Sequence, residues 1–429
     1  MRSTQSTVAD INGADLTLLQ LLNGEVLADP WDLYRALREQ SPVHWDPYVH
    51  AWVVTGYPEV VTVLKDFSAD RTPTPEYLEQ LGLSLLIPFF QMMQQQMLFM
   101  NAPMHTRLRA ICSAAFTPRR VEELQSVIES IGDELIDRVI MSGRMDLIAE
   151  FAHPFPGIVA AKLLGVPEQD HHQLGIWTTD LAEVLGNFQH HPDRVAQIVR
   201  SLEDLKSYVA ARMEEQRRLP TTGLIRSLMT AEVDGHRLSD DEVIANTIIT
   251  LIGGRETTTN LIGSGFLRLL NEPESFNQLL RSPEIVGSAV EELLRIESPI
   301  QNTVRIAPRE MQLGGKTIAE GAKVVAVLAA ANRDPNRFPD PDRLDLLRPD
   351  NRHLAFGWAA HFCFGAPLAR IEGQIAFRKL LSRLSRPALL DQKLSWRGNA
   401  GLRGLASLNI SFDPTPPRTA PRLGTNSAG

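Results

Sequence analysis

Cys363 is the residue whose surroundings are most clearly organised for chemistry. It is one of only two cysteines in 429 residues. Gly357 and Gly365 flank it, and glycine lets a backbone fold closely around a sulfur. Pro367 follows, a residue tolerated in the first turn of a helix. Because the N–H groups and macrodipole at a helix N-terminus favour a thiolate, this arrangement predicts a metal ligand.

Zinc is a poor match for this cysteine, because structural zinc sites need about four Cys or His ligands in paired spacings. The other cysteine, Cys112, lies far away in the sequence. A single thiolate suits haem iron, where electron donation from the sulfur favours O–O cleavage. Two other interpretations of Cys363 remain open from the residues alone: a buried structural thiol and the nucleophile of a helical hydrolase.

A long, largely apolar helix is predicted to cross the core. Ser239 and Glu242 fit a capping box that opens it, and the pattern runs to about Asn271, before Pro273. Residues 253–258, Gly-Gly-Arg-Glu-Thr-Thr, interrupt its apolar character. Each glycine costs about 1 kcal/mol relative to alanine inside a helix. That cost in a core helix indicates a local opening with a functional purpose.

Glu256 and Thr257 are the chemical groups in this interruption. A carboxylate and a hydroxyl at an opening in a helix can supply protons to a small ligand. Helical spacing places Ile249, Gly253 and Leu261 on the face of Thr257, whereas Arg255 lies about 200° round the helix and is expected to point away. The alternative is a kinked core helix with a chance glutamate.

Two pairs of charged residues are weak signals when each is taken by itself. His105 and Arg109 are four residues apart, so they share a helical face and could bind one anion together. Glu292 and Arg295 are three residues apart, close enough to form an ion pair. Both spacings are also common on ordinary charged helix surfaces.

The residues around Cys363 resemble the cysteine-ligand loop of the cytochrome P450 family. That loop has the pattern Phe-Gly-x-Gly-x-His/Arg-x-Cys-x-Gly. Residues 356–365 match every fixed position except one, because Ala359 stands where the family has its middle glycine. Residues 253–257 resemble the family's oxygen-activation motif, Ala/Gly-Gly-x-Asp/Glu-Thr. The two charged pairs match two further motifs, so four motifs occur in family order over roughly residues 25–412.

The resemblance implies the cytochrome P450 fold, mainly α-helical with a small β region. Haem b would lie between the helix of Glu256 and the loop of Cys363. Cys363 would be the axial ligand of the iron, and Glu256 and Thr257 would be catalytic residues that help to deliver protons. The other positions that match the family's haem contacts are His105, Arg109, Gly253, Arg305, His353, Phe356, His361 and Gly365.

The resemblance also implies a structural lock for the fold. In the family, the Glu-x-x-Arg pair binds an arginine from a later loop. The matching trio here is Glu292, Arg295 and Arg343, and we assign it to structure rather than to chemistry.

The implied activity is that of a monooxygenase that uses O2 to hydroxylate or epoxidise an organic substrate, in secondary metabolism. Electrons would come from NAD(P)H through a ferredoxin and its reductase. Arg119, Arg120, Arg352 and Arg370 are predicted to form a basic patch for this partner. The alternative is a haem-thiolate sensor or carrier without turnover. The carboxylate and hydroxyl of the central helix argue against this alternative, since binding alone needs no proton relay.

A medium-to-large, mostly apolar substrate is expected, such as a terpenoid, a polyketide or a fatty-acid-like compound. The irregular stretch 72–104 contains five of the eleven methionines, and methionine packs adaptably. We predict that this stretch is a mobile lid over an apolar pocket; the alternative is a poorly periodic piece of core. Asn302, Thr303 and Arg403 are candidates for anchoring a polar end of the substrate. The predicted pocket residues are Met92, Met93, Ile249, Gly253, Asn302, Thr303 and Leu402.

The composition limits the class of protein. A net charge of −8 argues against a nucleic-acid partner. There is no run of about eighteen apolar residues and no basic start followed by an apolar block, so neither a membrane span nor a signal peptide is predicted. Two distant cysteines predict no disulfide and a reducing compartment. We expect a soluble, cytoplasmic protein with one domain over residues 15–412, a flexible N-terminus over residues 1–14 and a flexible tail over residues 413–429.

Overall fold

Helices form most of the secondary structure in the computed structural model, which describes residues 16–184, 192–219 and 222–418. The mainly α-helical class with a small β region is therefore confirmed. The predicted flexible start and residues 419–429 lie outside these ranges, and the single domain stays a prediction. No helix within these ranges is long and apolar enough to cross a membrane.

The α-helices are α1 (Gly24–Ala28), α2 (Trp31–Gln40), α3 (Tyr57–Asp66), α4 (Pro75–Gln80), α5 (Ile87–Met93), α6 (Met104–Ala115), α7 (Pro118–Glu123), α8 (Gln125–Val139), α9 (Pro154–Leu164), α10 (His171–Ala182), α11 (Pro192–Arg218), α12 (Leu224–Thr230), α13 (Asp240–Asn271), α14 (Pro273–Arg281), α15 (Val286–Glu297), α16 (Leu328–Ala331) and α17 (Ala366–Arg383).

Short strands form a larger sheet and three small ones. The larger sheet has the order β1-β2-β7-β4, with β2 and β7 parallel and the other pairs antiparallel. The predicted hairpin is its first pair, since Val43 lies opposite Val54. The small sheets are β3-β11-β8, β9-β10 and β5-β6. The strands are β1 (Val43–Asp46), β2 (Ala51–Val54), β3 (Arg144–Asp146), β4 (Thr303–Ile306), β5 (Met311–Leu313), β6 (Lys316–Ile318), β7 (Lys323–Ala326), β8 (Ser385–Leu389), β9 (Ser395–Trp396), β10 (Leu405–Ser407) and β11 (Asn409–Asp413).

The helix α13 is the centre of the helical part. Its 32 residues begin with the predicted capping box: the N–H of Glu242 donates to Ser239 Oγ, and the N–H of Ser239 donates back to the Glu242 carboxylate. At 1.5 Å per residue the helix is about 48 Å long. It packs against α9, α10, α11, α15 and α17, which explains why most of its surface is buried.

The methionine-rich stretch forms short helices rather than a long loop. Besides α4 and α5 it contains 3₁₀ turns at Ser84–Leu86 and Met97–Phe99. Met92, Met93 and Met97 are buried. The side chain of Gln96 donates to the carbonyl of Ala245 at 3.2 Å, which attaches the stretch to α13. The stretch is therefore helical over much of its length, while its role as a mobile lid stays a prediction.

Candidate active site

The cysteine loop is closed by backbone hydrogen bonds on both sides of the sulfur. The N–H of Cys363 donates to the carbonyl of Phe356 at 2.7 Å, and α17 begins at Ala366, three residues after the cysteine. Burial raises the pKa of the Cys363 thiol, while the backbone N–H groups of Gly365 and Ala366 and the charge of Arg109 act in the opposite direction. A thiol with a raised pKa is a poor free nucleophile. A cation at the sulfur would reverse this balance and hold the thiolate, as a metal ligand requires.

Two residues of this loop adopt the left-handed conformation. Gly357 has φ +70°, which costs glycine nothing. Ala359 has φ +56°, a conformation that raises the conformational energy of a residue with a Cβ. Ala359, the one departure from the family pattern in this loop, therefore stands where the backbone conformation favours glycine.

One face of α13 is open in the middle of an otherwise buried helix. Ile249, Gly253 and Thr257 are exposed or partly exposed there, on one face as predicted, whereas Leu261, which was predicted on the same face, is buried. Apart from the backbone of the helix itself, no atom of the described residues lies within 4 Å of the point where a Cβ would stand on Gly253 or Gly254. The hydroxyl of Thr257 donates to the Gly253 carbonyl at 2.7 Å. This hydroxyl is thus held on the open face, where a ligand could reach it; we call this face and the space before it the cleft.

The two residues before Thr257 point elsewhere. Arg255 is 5% exposed and points away from the cleft, as predicted: its guanidinium donates to Thr178 Oγ1 at 2.6 Å and contacts His153. Glu256 is also 5% exposed, and its Oε2 forms an ion pair with Arg397. Glu256 therefore does not share the open face with Thr257, contrary to the expectation that both groups are presented together.

Five cationic or imidazole side chains converge beside the cysteine loop. The rings of His105 and His361 lie 4.1 Å apart. Burial, followed by the charges of His105, Arg305, Arg71 and Arg109, lowers the pKa of His361 to about 3. Burial likewise lowers the pKa of Arg71 to about 9 and that of Arg305 to about 10. We call these five residues the cationic cluster.

The cationic cluster has the chemistry of an anion site. Arg71 donates to the carbonyls of Ala69 and Leu98, and Arg305 donates to Thr303 Oγ1 and its neighbouring backbone. In the part of the chain that is described, neither guanidinium forms an ion pair with a carboxylate. Arg305 Nε is buried and has no hydrogen-bond partner among the residues that the structure describes. Buried positive charge needs a counter-charge, so a cofactor with carboxylates, such as haem with its propionates, fits this cluster.

Several predicted contacts have other partners. His353 Nε2 lies 3.3 Å from Glu291, which also binds Arg370 with two hydrogen bonds, so His353 is outside the contacts of the cationic cluster. The Phe356 ring lies under the Arg370 guanidinium at 4.7 Å. Arg403 is buried in an ion pair with Glu297, at 2.7 Å. Arg403 is thus part of the structure, and the suggestion that it anchors substrate is wrong.

The predicted pocket residues beyond α13 are partly engaged. The amide of Asn302 donates to the carbonyl of Ala400 at 3.1 Å, and the hydroxyl of Thr303 accepts from Arg305. Leu402 is partly exposed and forms a β-bridge with Ile300. Asn302 and Thr303 therefore hold the walls of this region, and their contact with substrate stays a prediction.

The structural lock uses a different arginine from the predicted one. Glu292 and Arg295 form a fully buried pair through two hydrogen bonds of 2.7 and 2.8 Å. The third member is Arg348, whose Nε lies 3.0 Å from Glu292 Oε1. Arg343 is wrong as a side-chain partner: its guanidinium is 66% exposed, and it contributes only its backbone carbonyl to Arg295. Both arginines lie in an irregular connection, where no helical or strand period distinguishes them.

Sequence reasoning missed three residues of this region. Arg71 joins the cationic cluster, Arg348 completes the buried lock, and Arg397 binds Glu256. Each comes from a loop or the end of a strand. One sequence signal for a buried arginine without a carboxylate partner is an apolar neighbourhood that lacks acidic residues. This signal is weak for Arg71, because Asp70 precedes it.

These features together are those of the haem-thiolate class of proteins: a buried helix that is open in its middle, a cysteine loop ahead of a helix, and the cationic cluster. A family model described as "Cytochrome P450" matches residues 87–392. The chain is 35% identical over 397 residues to polyketide biosynthesis cytochrome P450 PksS of Bacillus subtilis, covering 90% of this chain and 96% of that protein. The chain belongs to the cytochrome P450 family and is a haem monooxygenase.

Two further relatives extend this comparison. Cytochrome P450 monooxygenase PikC of Streptomyces venezuelae is 36% identical over 422 residues, covering 96% of this chain and 97% of that protein. The crystal structure of P450BioI in complex with an acyl carrier protein carrying hexadec-9Z-enoic acid matches with a TM-score of 0.84 and 35% identity, over 91% of this chain and 99% of that chain. A family member of this kind depends on redox partners and acts on a small molecule.

Proposed function

We propose that this enzyme hydroxylates or epoxidises a medium-to-large, mostly apolar molecule of polyketide, terpenoid or fatty-acid-like class, in secondary metabolism. The observation that carries the proposal is the open face of α13, where Ile249 and two glycines leave space beside a polar hydroxyl. Apolar walls with few polar groups suit a large apolar ligand. Two relatives support the same substrate classes: one is named for polyketide biosynthesis, and another was crystallised with a carrier protein that holds an acyl chain.

Cys363 is proposed as the residue that would hold the iron of haem b through its sulfur. When bound, haem supplies the activation of O2, assisted by electron donation from the thiolate. The residues that follow Cys363 contribute backbone N–H groups that favour negative charge on the sulfur, and α6 contributes the guanidinium of Arg109, which acts in the same direction. Within the described residues, no group of three or more His, Cys, Asp or Glu side chains is arranged to hold a metal ion, so Cys363 would act as the one side-chain ligand.

The cationic cluster is proposed to bind the haem propionates through His105, Arg109, Arg305 and His361, with Arg71 added. Arg305 has a free buried Nε for such a bond. His353 is the least supported of the predicted haem contacts, because its ring is engaged with Glu291. Gly253 and Gly365 support close approach of the cofactor, since a Cβ on either would point into open space in this structure.

Thr257 and Glu256 are proposed to handle the protons that the reaction consumes. The balance is O2, two electrons, two protons and substrate R–H giving R–OH and water. The Thr257 hydroxyl lies on the cleft face, where it can donate a hydrogen bond to an oxygen once it leaves the Gly253 carbonyl. Glu256 is buried one residue away and is proposed to pass protons from outside the cleft to that position.

Electrons are proposed to come from NAD(P)H through a ferredoxin and its reductase. Two arginines of the predicted docking patch, Arg119 and Arg352, are well exposed, with side chains 87% and 70% accessible. All three arginines are ion-paired, Arg119 with Glu123, Arg352 with Asp350 and Arg370 with Glu291. The Arg370 side chain is only 35% accessible, so it is less available to a partner. Neutralising Arg352 is expected to slow ferredoxin-dependent reduction in a salt-sensitive way.

The proposal is tested in two stages. A reduced, carbon-monoxide-bound difference spectrum with a strongly red-shifted Soret band would support thiolate ligation; a band at the ordinary histidine-ligated position would contradict it. Turnover is then measured with ¹⁸O2, a ferredoxin system and a panel of one macrolactone, one long-chain fatty acid and one terpenoid. Incorporation of one labelled oxygen into a panel member supports the substrate class. Binding of a panel member without oxygenation, at full electron supply, would favour the alternative of a sensor or carrier.

A further inference from the structure

Glu291 is a charged residue of α15 that none of the four sequence motifs uses, although it stands directly before Glu292 of the buried lock. Consecutive residues of a helix point about 100° apart, so the two carboxylates serve different neighbours. Both oxygens of Glu291 accept from Arg370, at 2.8 Å each, and Oε2 also lies 3.3 Å from His353 Nε2. Glu291 thus joins α15 to α17 and to the connection that leads into the cysteine loop.

The two partners of Glu291 keep its carboxylate ionised. His353 Nδ1 accepts from the N–H of Ala355 at 3.2 Å, which assigns the ring proton to Nε2, the nitrogen that faces Glu291. Burial acts to raise the pKa of Glu291, but the hydrogen bonds from Arg370 and His353 outweigh it and lower this pKa to about 2. The positive charge of Arg370 is therefore matched by a full negative charge near pH 7.

Arg370 is held against the cysteine loop from a second side. Its guanidinium lies 4.7 Å from the centre of the Phe356 ring, and the Phe356 carbonyl accepts from the N–H of Cys363 at 2.7 Å. Burial raises the pKa of the Cys363 thiol, and the charge of Arg370 is one of the influences that oppose this rise. The electrostatic field of this guanidinium therefore reaches the sulfur.

We propose that Glu291 and Arg370 form a charge-balanced pair that sets the reduction potential of the haem. Glu291 is the positioning residue of the pair, because it fixes the Arg370 guanidinium and offsets its charge. The inference rests on the proposed ligation of haem by Cys363 and goes beyond it. Reduction adds one negative charge at the haem, so a nearby cation favours the reduced state and a nearby anion disfavours it. With both partners present, the two effects largely cancel.

The test compares Glu291→Gln, Arg370→Gln and the double variant by redox titration of the haem-loaded enzyme, without substrate or ferredoxin. Glu291→Gln keeps the size of the side chain and an acceptor for Arg370, so the guanidinium stays in place without its counter-charge. The potential should rise, and the ratio of reduced to oxidised haem at a fixed poise should increase several-fold. Arg370→Gln leaves Glu291 unbalanced, so this ratio should fall several-fold. The double variant should return close to the unchanged enzyme.

A second ion pair provides the matched control. Arg268 and Glu272, at the end of α13, are similarly accessible, at 26% and 30% against 35% and 26% for Arg370 and Glu291. Glu272→Gln should leave the potential unchanged. Arg370→Lys keeps the positive charge and should stay closer to the unchanged enzyme than Arg370→Gln. Because both members of the proposed pair are partly exposed, raised ionic strength should reduce the shifts of the two single variants.

The signs of the shifts separate an electrostatic role from a structural one. Shifts in the same direction in Glu291→Gln and Arg370→Gln would show that the pair only holds the loop. Potentials equal to that of Glu272→Gln would show that its charges do not act on the haem. Either result would overturn the proposal.

Failure of the proposed function is recognised independently. Absence of an oxygenated product in the ¹⁸O2 assay would contradict that function, while the redox titration needs neither substrate nor turnover and still reports on the pair. Omission of ferredoxin also separates the effect of Arg370 on the potential from any effect on partner docking.

Discussion

The imidazole rings of His105, at the start of α6, and His361, in the cysteine loop, lie 4.1 Å apart. This contact brings the His-x-x-x-Arg motif against the cysteine motif and sets up the cationic cluster around it. The cluster contains more positive charge than the sequence motifs account for, because Arg71 approaches from the chain before α4.

Replacing Arg71 by Gln is expected to weaken haem retention. A hydrogen bond to a charged group contributes about 1.5–3 kcal/mol, and each 1.4 kcal/mol is a factor of ten, so haem should be lost roughly tenfold faster. The rate is measured by haem transfer to excess apomyoglobin. Arg119→Gln, an exposed arginine paired with Glu123, is the control and should leave the rate unchanged. Equal rates in the two variants would remove Arg71 from the haem site.

Ala359→Gly is expected to stabilise the cysteine loop. The left-handed conformation of Ala359 costs about 1–2 kcal/mol for a residue with a Cβ, while glycine adds flexibility to the unfolded chain, so a net gain of about 0.5–1 kcal/mol should remain. The reverse change, Gly357→Ala at φ +70°, should destabilise by a similar amount. Urea unfolding of the haem-bound protein, followed by the Soret band, measures both. A loss of stability in Ala359→Gly would show that this strain is absent.

The buried lock distinguishes Arg348 from Arg343. Arg348→Met removes a cation from the fully buried Glu292, which should cost roughly 3 kcal/mol of stability or prevent folding. Arg343→Met changes a side chain that is 66% exposed, so it should alter stability by less than about 0.5 kcal/mol. Arg348→Lys provides an intermediate case if the Met variant does not fold. Chemical denaturation gives the free energies of unfolding. Equal costs at the two positions would contradict the assignment of Arg348.

His153 makes stability depend on pH. Its folded pKa of about 3 lies below the ordinary value of 6.5, because of burial and the charges of Arg255 and Arg397. The unfolded chain therefore binds more protons between these values, so stability is lost as the pH falls from 6.5 towards 3. His153→Gln keeps a hydrogen-bonding group for Arg255 and should flatten the dependence, by roughly 1 kcal/mol at pH 5 after allowance for partial exposure. Urea midpoints at pH 7 and pH 5 test this, and parallel curves for both proteins would refute it.

Thr257→Ala is expected to separate O2 consumption from product formation. The variant removes the hydroxyl on the open face of α13 without removing buried packing, so substrate binding should persist while the yield of product per NAD(P)H falls several-fold. Thr250 makes the same kind of hydrogen bond, to the Asn246 carbonyl at 2.7 Å, two turns earlier. Thr250→Ala is the matched control and should keep its coupling. Full coupling in Thr257→Ala would exclude a role of this hydroxyl in proton supply.

Local patterns were sufficient for the elements that carry the site. The capping box at Ser239 and Glu242 predicted the start of α13, and helical spacing predicted that Gly253 and Thr257 share a face while Arg255 points away. These features depend on neighbours within a few turns of one helix. They can therefore be read from the chain without its fold.

The partners of the charged residues were decided by the tertiary structure. The sequence predicted Arg343 as the partner of Glu292, whereas Arg348 forms that contact, and nothing local indicated that Arg397 would bind Glu256. The reason is physical: an irregular loop has no period that fixes the direction of its side chains, and a long guanidinium pairs with the carboxylate that packing brings near it. The sequence by itself thus determined the central helix and the class of chemistry and singled out Cys363, while only the fold decided which arginines surround these elements.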